Sequence, residues 1–87
     1  MAEHELKVWP SFFEEIQSGR KAFEIRKNDR GFAVGDTLLL REYEPGPDEY
    51  TGRAVARTVS YLLSGDDILA YAFGLREGFC AMSLMKD

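Results

Sequence analysis

Residues 19–31 read GRKAFEIRKNDRG. Five of the eleven Lys and Arg residues lie between positions 20 and 30, where only Glu24 and Asp29 carry the opposite charge, so the local charge is +3 against −4 for the whole chain. The opening glycine is typical of a helix end, and alternation over Ala22–Lys27 predicts a strand that leads into a glycine loop. A cationic segment with this course can present several hydrogen-bond donors to one anion or nucleotide.

The composition of the whole chain limits the kind of protein it can be. Its 87 residues predict a single domain over residues 1–87. Apolar residues at 45% and aromatic residues at 13% are sufficient for a small hydrophobic core. The net charge of −4 argues against a protein that coats duplex DNA, because such proteins are generally basic overall, but it permits a local cationic cleft.

Metal, disulfide and membrane chemistry are not expected from this sequence. Cys80 has no second cysteine with which to pair, and together with His4 it offers too few ligands for a structural zinc site. We therefore predict no metal and no cofactor. No apolar run approaches the roughly 20 residues that span a bilayer, and residues 1–5 lack the basic start of a signal peptide. The expectation is a cytoplasmic protein without membrane contact.

Before the basic stretch, the chain predicts a strand and a short helix. Residues 4–9 alternate with a period of two, which is typical of a half-buried strand. Trp9 at its end either fills the core or stands free as a stacking surface. Ser11 and Glu14 have the spacing of a capping box, so we predict a helix over Ser11–Ser18 that ends at the following glycine.

Within the basic stretch, the predicted strand Ala22–Lys27 separates two kinds of side chain. Phe23 and Ile25 point one way, whereas Glu24 and Arg26 point the other. The two opposite charges pair either with each other, as a solvated surface ion pair, or with a ligand.

After the basic stretch, the pattern predicts three more strands, at Thr37–Tyr43, Arg53–Leu63 and Phe79–Met85. We expect residues 38–40, all Leu, to be deeply buried, and residues 44–52 to form a polar hairpin loop. Asp66 or Asp67 is placed to cap a short helical turn that runs through Ala70 and Tyr71.

These elements predict a mainly β (α+β) fold with one short helix after the first strand. Mostly antiparallel strands of this length favour a small, closed or nearly closed barrel of five to six strands, because closure removes exposed edges.

The spacing of four residues in the basic stretch resembles a known signature. Gly19, Lys21, Glu24 and Arg26 give G-x-K-x-x-E-x-R, which resembles ASCH domains of the PUA-like superfamily of small RNA-associated barrels. Longer segments resemble the domain of unknown function family 3850, found in bacteria and their phages: residues 4–7, 23–30, 34–36, 40–42, 50–53 and 74–79. The resemblance implies a PUA-like β-barrel with a cleft between the helix and the barrel mouth. It also implies RNA, or a nucleotide with a modified base, as the ligand class.

Two chemistries of ASCH relatives bear on the same residues. Some relatives resemble amidohydrolases of acetylated cytidine, but their nucleophilic Thr position holds Glu24 here, so that mechanism does not carry over. Others resemble metal-independent ribonucleases, for which Glu24 would take the 2′-hydroxyl proton while Lys21 and Arg26 stabilise the phosphorane.

The favoured hypothesis is a binding module for single-stranded RNA or a nucleotide. Phosphate contacts are assigned to Lys7, Lys21, Arg26 and Lys27. Base-edge contacts are assigned to Glu24, Asn28 and Asp29, with Trp9 as the stacking residue.

Three alternatives remain open at the level of sequence. The first is an enzyme, either a ribonuclease or a modified-nucleoside hydrolase, that uses Lys21 and Glu24. The second is a protein-interaction module that uses the acidic loop 42–49 and the acidic pair at 66–67. The third is a surface ion network of Lys21, Glu24 and Arg26 around a fold that has no ligand cleft.

Overall fold

A computed structural model describes residues 1–86, which form five strands and two short helices. The strands are β1 (Glu3–Val8), β2 (Phe23–Lys27), β3 (Thr37–Glu44), β4 (Glu49–Ser64) and β5 (Phe79–Met85). The helices are α1 (Pro10–Ser18) and α2 (Ile68–Ala72). The predicted mainly β fold, with a short helix after the first strand, is confirmed.

All five strands belong to one sheet in the order β1-β3-β4-β5-β2. The pairing is antiparallel except between β1 and β3, which are parallel. The long strand β4 pairs with β3 through its first half and with β5 through its second half, and this arrangement curls the sheet into a half-barrel. Within residues 1–86, no ladder joins the two end strands β1 and β2.

The core lies on the concave face of this sheet, where alternate residues of each strand point inward. Phe13 and Ile16 of α1 are fully buried against it because their spacing of three puts them on one face of the helix. The prediction for residues 38–40 is right for Leu38 and Leu40 but wrong for Leu39, which is only partly buried. Three consecutive strand residues cannot all face one side of a sheet.

The start of α1 differs from the sequence prediction. Pro10 is the first helical residue and Trp9 occupies the N-cap position without a side-chain cap, so the predicted capping box at Ser11 is wrong. Proline is favoured at the first helical position because its fixed φ suits the helix and its missing N–H would have no partner there. The predicted helix end is confirmed, since Gly19 has a φ of 86° and its N–H donates to Ile16 O.

Two further boundaries follow from local hydrogen bonds. Asp67 caps α2 by accepting from Leu69 N at 2.9 Å, as the sequence predicted. The β3–β4 hairpin is longer than expected, with cross-strand pairs continuing to Glu44 and Glu49, so only residues 45–48 form its loop.

Candidate functional site

The edge strand β2 turns its charged face towards the interior of the half-barrel. Glu24 is buried, whereas Phe23 and Ile25 are 48% and 56% exposed. The predicted alternation is therefore confirmed, but the apolar side chains are the ones that face outward. This orientation places a carboxylate where a strand of this kind normally buries an aliphatic residue.

The buried carboxylate of Glu24 is held between two cations. Lys21 Nζ donates to Glu24 Oε1 at 2.7 Å and Arg26 Nε donates to Glu24 Oε2 at 2.7 Å. The exposed side-chain fractions are 6% for Glu24, 17% for Lys21 and 29% for Arg26. Two short charge-assisted hydrogen bonds offset the desolvation of the carboxylate. The three side chains therefore form one connected group rather than separate surface charges.

Arginine side chains join the two end strands of the sheet where no ladder does. Arg26 Nη2 donates to Lys7 O of β1 at 2.7 Å, and Arg30 Nη1 donates to Glu5 O at 2.5 Å. We call this gap between β1 and β2 the seam. Guanidinium groups therefore join the two strands at the seam in place of main-chain hydrogen bonds.

A cleft of about 500 Å³ opens at the seam beside α1. It is lined by Lys7, Val8, Trp9, Phe12, Lys21, Phe23, Glu24, Ile25 and Arg26. Trp9 and Phe12 are 56% and 51% exposed, so Trp9 is a free aromatic surface rather than a core residue. A volume of this size, with mostly apolar walls and a few polar groups, is typical of small-ligand sites.

The cations of the cleft keep hydrogen-bonding capacity for a ligand. An ammonium group has three donors, and Lys21 Nζ uses two of them, on Glu24 and on Phe23 O at 2.9 Å. Arg26 uses Nε and Nη2 on protein acceptors, which leaves its other guanidinium N–H groups. The Lys21–Glu24–Arg26 group carries a net charge of +1, and Lys7 adds a further positive charge to the lining of the cleft. The cleft therefore suits a ligand that combines a flat ring with an anionic group.

The structure gathers some of the predicted site residues and separates others. Lys7, Trp9, Lys21, Glu24 and Arg26 all line the cleft, although Lys7 Nζ lies over the Tyr43 ring, 4.4 Å from its centroid.

The end of the basic stretch does not join the cleft lining. Lys27 and Asp29 are exposed beyond it. The Asn28 side chain instead holds the following turn, because its Oδ1 accepts from Phe32 N at 3.0 Å. The basic stretch therefore has two parts: residues 21–26 contribute to the cleft, and the residues from 28 onward form the turn that follows.

Four apolar cleft residues were not predicted as site residues: Val8, Phe12, Phe23 and Ile25. One sequence signal for Phe12 was available. The short helix carries adjacent phenylalanines, and only one of two neighbours can face the core.

A second buried carboxylate, Glu42, belongs to a structural cluster. It accepts from Thr51 Oγ1 at 2.6 Å and from Arg53 Nε at 2.9 Å. Arg53 also contacts Glu14 of α1, so the cluster fixes the helix to β3 and β4. The Arg53 guanidinium and the Thr51 hydroxyl lower the pKa of Glu42. Glu42 is therefore unavailable to the acidic surface that the sequence suggested over residues 42–49.

The arrangement of residues 1–86 also bears on metal and membrane chemistry. Among residues 1–86, no group of three or more His, Cys, Asp or Glu side chains is placed to hold a metal ion. No helix in the same range is both long and apolar enough to cross a bilayer.

Comparisons with known proteins are informative about family but not about activity. Residues 3–84 match the profile of the family described as Domain of unknown function (DUF3850). The chain is 39% identical over 57 residues to an uncharacterized 12.9 kDa protein in the GpA 3′ region of Escherichia phage P2, and the match covers 66% of this chain and 50% of that protein. It is 29% identical over 86 residues to a protein of Aliivibrio fischeri (strain MJ11) named glutamate racemase, and this match covers 99% of this chain and 30% of that protein. The chain thus spans half or less of the length of both relatives.

Proposed function

This chain belongs to the DUF3850 family, and we propose that it binds RNA or a nucleotide through the cleft at the seam. The observation that carries the proposal is the juxtaposition of exposed aromatic rings with the partly buried Lys21–Glu24–Arg26 group in one cleft. The rings suit the flat face of a base, and the cations suit a phosphate.

The aromatic wall supports the base half of the proposal. Single-stranded nucleic acids are bound by stacking unpaired bases on aromatic side chains, at about 1–3 kcal/mol per base. Trp9 and Phe12 present half-exposed rings at the cleft. Exposing two large aromatic side chains in one concave place costs free energy in the unliganded protein unless a ligand covers them.

The cations support the phosphate half, with fewer contacts than the sequence suggested. Lys21 and Arg26 lie in the cleft, whereas Lys27 does not. Lys7 lines the cleft, but its ammonium group lies over the Tyr43 ring. For two phosphate contacts to a single strand, the logarithm of the binding constant should fall with the logarithm of salt concentration at a slope of about −1.4. Four cations would give a slope about twice as steep.

We also propose a wider structural relationship and a cellular location for the protein. We infer that the half-barrel is PUA-like and that the protein acts in the cytoplasm of a bacterium or a phage-infected cell. The support is that the four residues of G-x-K-x-x-E-x-R act together here: Gly19 ends α1, and Lys21, Glu24 and Arg26 form the charged group of the cleft.

The test is a titration of the protein with a short single-stranded RNA and with nucleoside monophosphates at several salt concentrations. Trp9→Ala and Lys21→Ala should each weaken binding about tenfold. Lys27→Ala removes the same charge six residues further along the chain, outside the cleft, and it should leave mononucleotide binding unchanged. Equal loss in all three variants, or no binding by the wild type, would refute the proposal.

A second candidate function rests on the contact between Glu24 and its two cations. In metal-independent RNA cleavage, Glu24 would accept the 2′-hydroxyl proton while Lys21 and Arg26 stabilise the charge on phosphorus. Incubation of RNA, and separately of acylated nucleosides, with wild type and Lys21→Ala distinguishes this function from binding. Turnover that disappears in Lys21→Ala favours the enzyme, whereas binding without turnover favours the module.

A further inference from the structure

The direction of the main-chain groups of β2 follows from two hydrogen bonds at its ends. Ala22 O accepts from Leu84 N at 2.9 Å, and Asn28 N donates to Gly78 O at 2.8 Å. In an antiparallel ladder, the N–H and C=O of one residue point to the same neighbour, and those of the next residue point the opposite way. The even-numbered residues between these two bonds therefore face β5.

It follows that the odd-numbered residues of β2 direct their main-chain groups into the seam. Three main-chain oxygens along the seam are already occupied. On β2, Phe23 O accepts from Lys21 Nζ. On β1, Lys7 O and Glu5 O accept from Arg26 and Arg30.

Ile25 differs from these residues because it lines the cleft and its seam-facing main-chain groups are open. The residue is 56% exposed. Within residues 1–86, neither a strand nor a side chain bonds to the seam side of Ile25. Ile25 therefore brings one main-chain donor and one main-chain acceptor, side by side, to the lining of the cleft next to the Lys21–Glu24–Arg26 group.

We propose that the N–H and C=O of Ile25 read the hydrogen-bonding edge of the bound base, an inference that rests on the proposed function. Each base presents an acceptor next to a donor on its Watson–Crick edge: O4 and N3–H in uracil, O6 and N1–H in guanine, N1 and the 6-amino group in adenine. The N–H and C=O of Ile25 point away from β5 and offer the complementary donor and acceptor. They are arranged as in a residue that exchanges two hydrogen bonds with the residue opposite it on a neighbouring strand. Because these groups belong to the main chain, a substitution that changes only the side chain at position 25 should leave recognition of the base intact.

The arrangement favours a base over an extended peptide that adds a strand to β2. Strand addition uses successive main-chain groups along an edge. Here Arg26 and Arg30 cross the seam and Lys21 occupies Phe23 O, so the ladder would be interrupted on either side of Ile25. A short stretch with an open donor–acceptor pair at the cleft lining suits a small planar group.

The test compares Ile25→Pro with Ile25→Val. Proline deletes the seam-facing N–H, and it is tolerated on the outward side of an edge strand because no ladder bond is lost there. Valine retains both main-chain groups and a β-branched side chain. Circular dichroism and a thermal melt establish that both variants are folded.

The probes are UMP, GMP and AMP, each paired with its edge-blocked form: 3-methyl-UMP, 1-methyl-GMP and N6,N6-dimethyl-AMP. Wild type and Ile25→Val should bind the best parent nucleotide about tenfold more tightly than its methylated form. Ile25→Pro should bind the parent more weakly and discriminate little between the two. Should Ile25→Pro not fold, hydrogen exchange of the Ile25 amide in the wild type decides: the parent nucleotide should slow it and the methylated form should not.

Two failures are distinguishable. Nucleotide binding with equal affinity for parent and methylated forms, or with the same discrimination in Ile25→Pro, overturns the inference and leaves the proposed function intact. If neither the nucleotides nor the short single-stranded RNA bind, the proposed function and the inference fall together. If the RNA alone binds, the same comparison is made with RNA that carries the methylated base.

Discussion

At the scale of single residues, Arg26 has two roles that a lysine cannot combine. Its Nε holds Glu24 while its Nη2 reaches Lys7 O across the seam. A guanidinium makes both contacts because its donors are spread over a rigid fork, whereas an ammonium is a point charge on a flexible stem. A positive charge at position 26 is therefore not enough to make both of these contacts at the cleft.

We predict that Arg26→Lys weakens nucleotide binding about tenfold while the protein remains folded, because the charge is kept and the bridge to β1 is lost. Isothermal titration calorimetry measures the affinity. Arg20→Lys is the matched control: Arg20 makes a two-pronged pair with Glu15 at 2.8 Å for each bond, but the pair is exposed on the surface. A loss of affinity in Arg20→Lys equal to that in Arg26→Lys would show that the cleft geometry is not responsible.

Asp36 gives the fold a dependence on pH. Its carboxylate accepts from His4 Nε2 at 2.9 Å, from Ala2 N at 3.0 Å and from Ala33 N at 3.0 Å. These hydrogen bonds, the one from His4 foremost, lower the pKa of Asp36 below its ordinary value of 3.8. The folded state thus binds the proton less readily than the unfolded state. The stabilisation is present above the ordinary pKa and is lost as the pH falls through the folded pKa.

Asp36→Asn should therefore lower the free energy of unfolding at pH 7. It should also reduce the fall in that free energy between pH 5 and pH 2, because the variant lacks the carboxyl group whose protonation is linked to unfolding. Urea unfolding at several pH values measures both effects. Glu42 also contributes to the acid dependence of wild type, because its pKa is lowered by Arg53 and Thr51. The variant should therefore retain part of the dependence. An unchanged pH slope would contradict the role given to Asp36.

At the scale of elements, the end of α1 fixes where the cleft begins. Gly19 adopts the left-handed conformation with a φ of 86°, and Lys21 N then donates to Glu15 O at 2.9 Å. This reversal brings Lys21 back beside Glu24 within three residues. The helix end therefore positions the ammonium group of the site.

Gly19→Ala should destabilise the protein by about 1 kcal/mol, because a Cβ is unfavourable in the left-handed region. No atom lies within 4 Å of a Cβ built at this position, so the cost comes from the backbone and not from a clash. Gly46→Ala is the control, since that glycine also has open space around it and no positive φ. Thermal unfolding measures both variants. Equal melting temperatures for the two would contradict the cap.

Sequence periodicity predicted the helices and strands well, but it did not predict for every element which face is buried. The strands and both helical segments follow from period-two alternation, glycine and capping signals, and their boundaries mostly shift by a residue or two. In β2, alternation correctly separated Phe23 and Ile25 from Glu24 and Arg26. It carried no information on which face is buried. The cations that pair with Glu24 are local, but the curl of the half-barrel sets which face of β2 lies inside.

At the scale of the whole molecule, strand order decides which charges converge. The local +3 of residues 20–30 predicted a cationic site, but not that the site divides near Lys27. That division arises because β1 and β2 lie at opposite ends of the sheet order and meet only through the curl of the half-barrel. A sequence of this length shows the strands but not the crossover that brings Lys7 O to Arg26.

The central claim is that one cleft, between β1 and β2, takes up a nucleotide. The most direct measurement is a titration of ¹⁵N-labelled protein with the tightest-binding nucleoside monophosphate, followed by ¹H–¹⁵N correlation spectra. The account predicts saturable shifts concentrated in residues 7–12 and 21–26, with the amides of residues 66–73 unmoved. Shifts centred on residues 66–73 or on residues 42–49 would contradict it, and so would a spectrum that does not change at millimolar nucleotide.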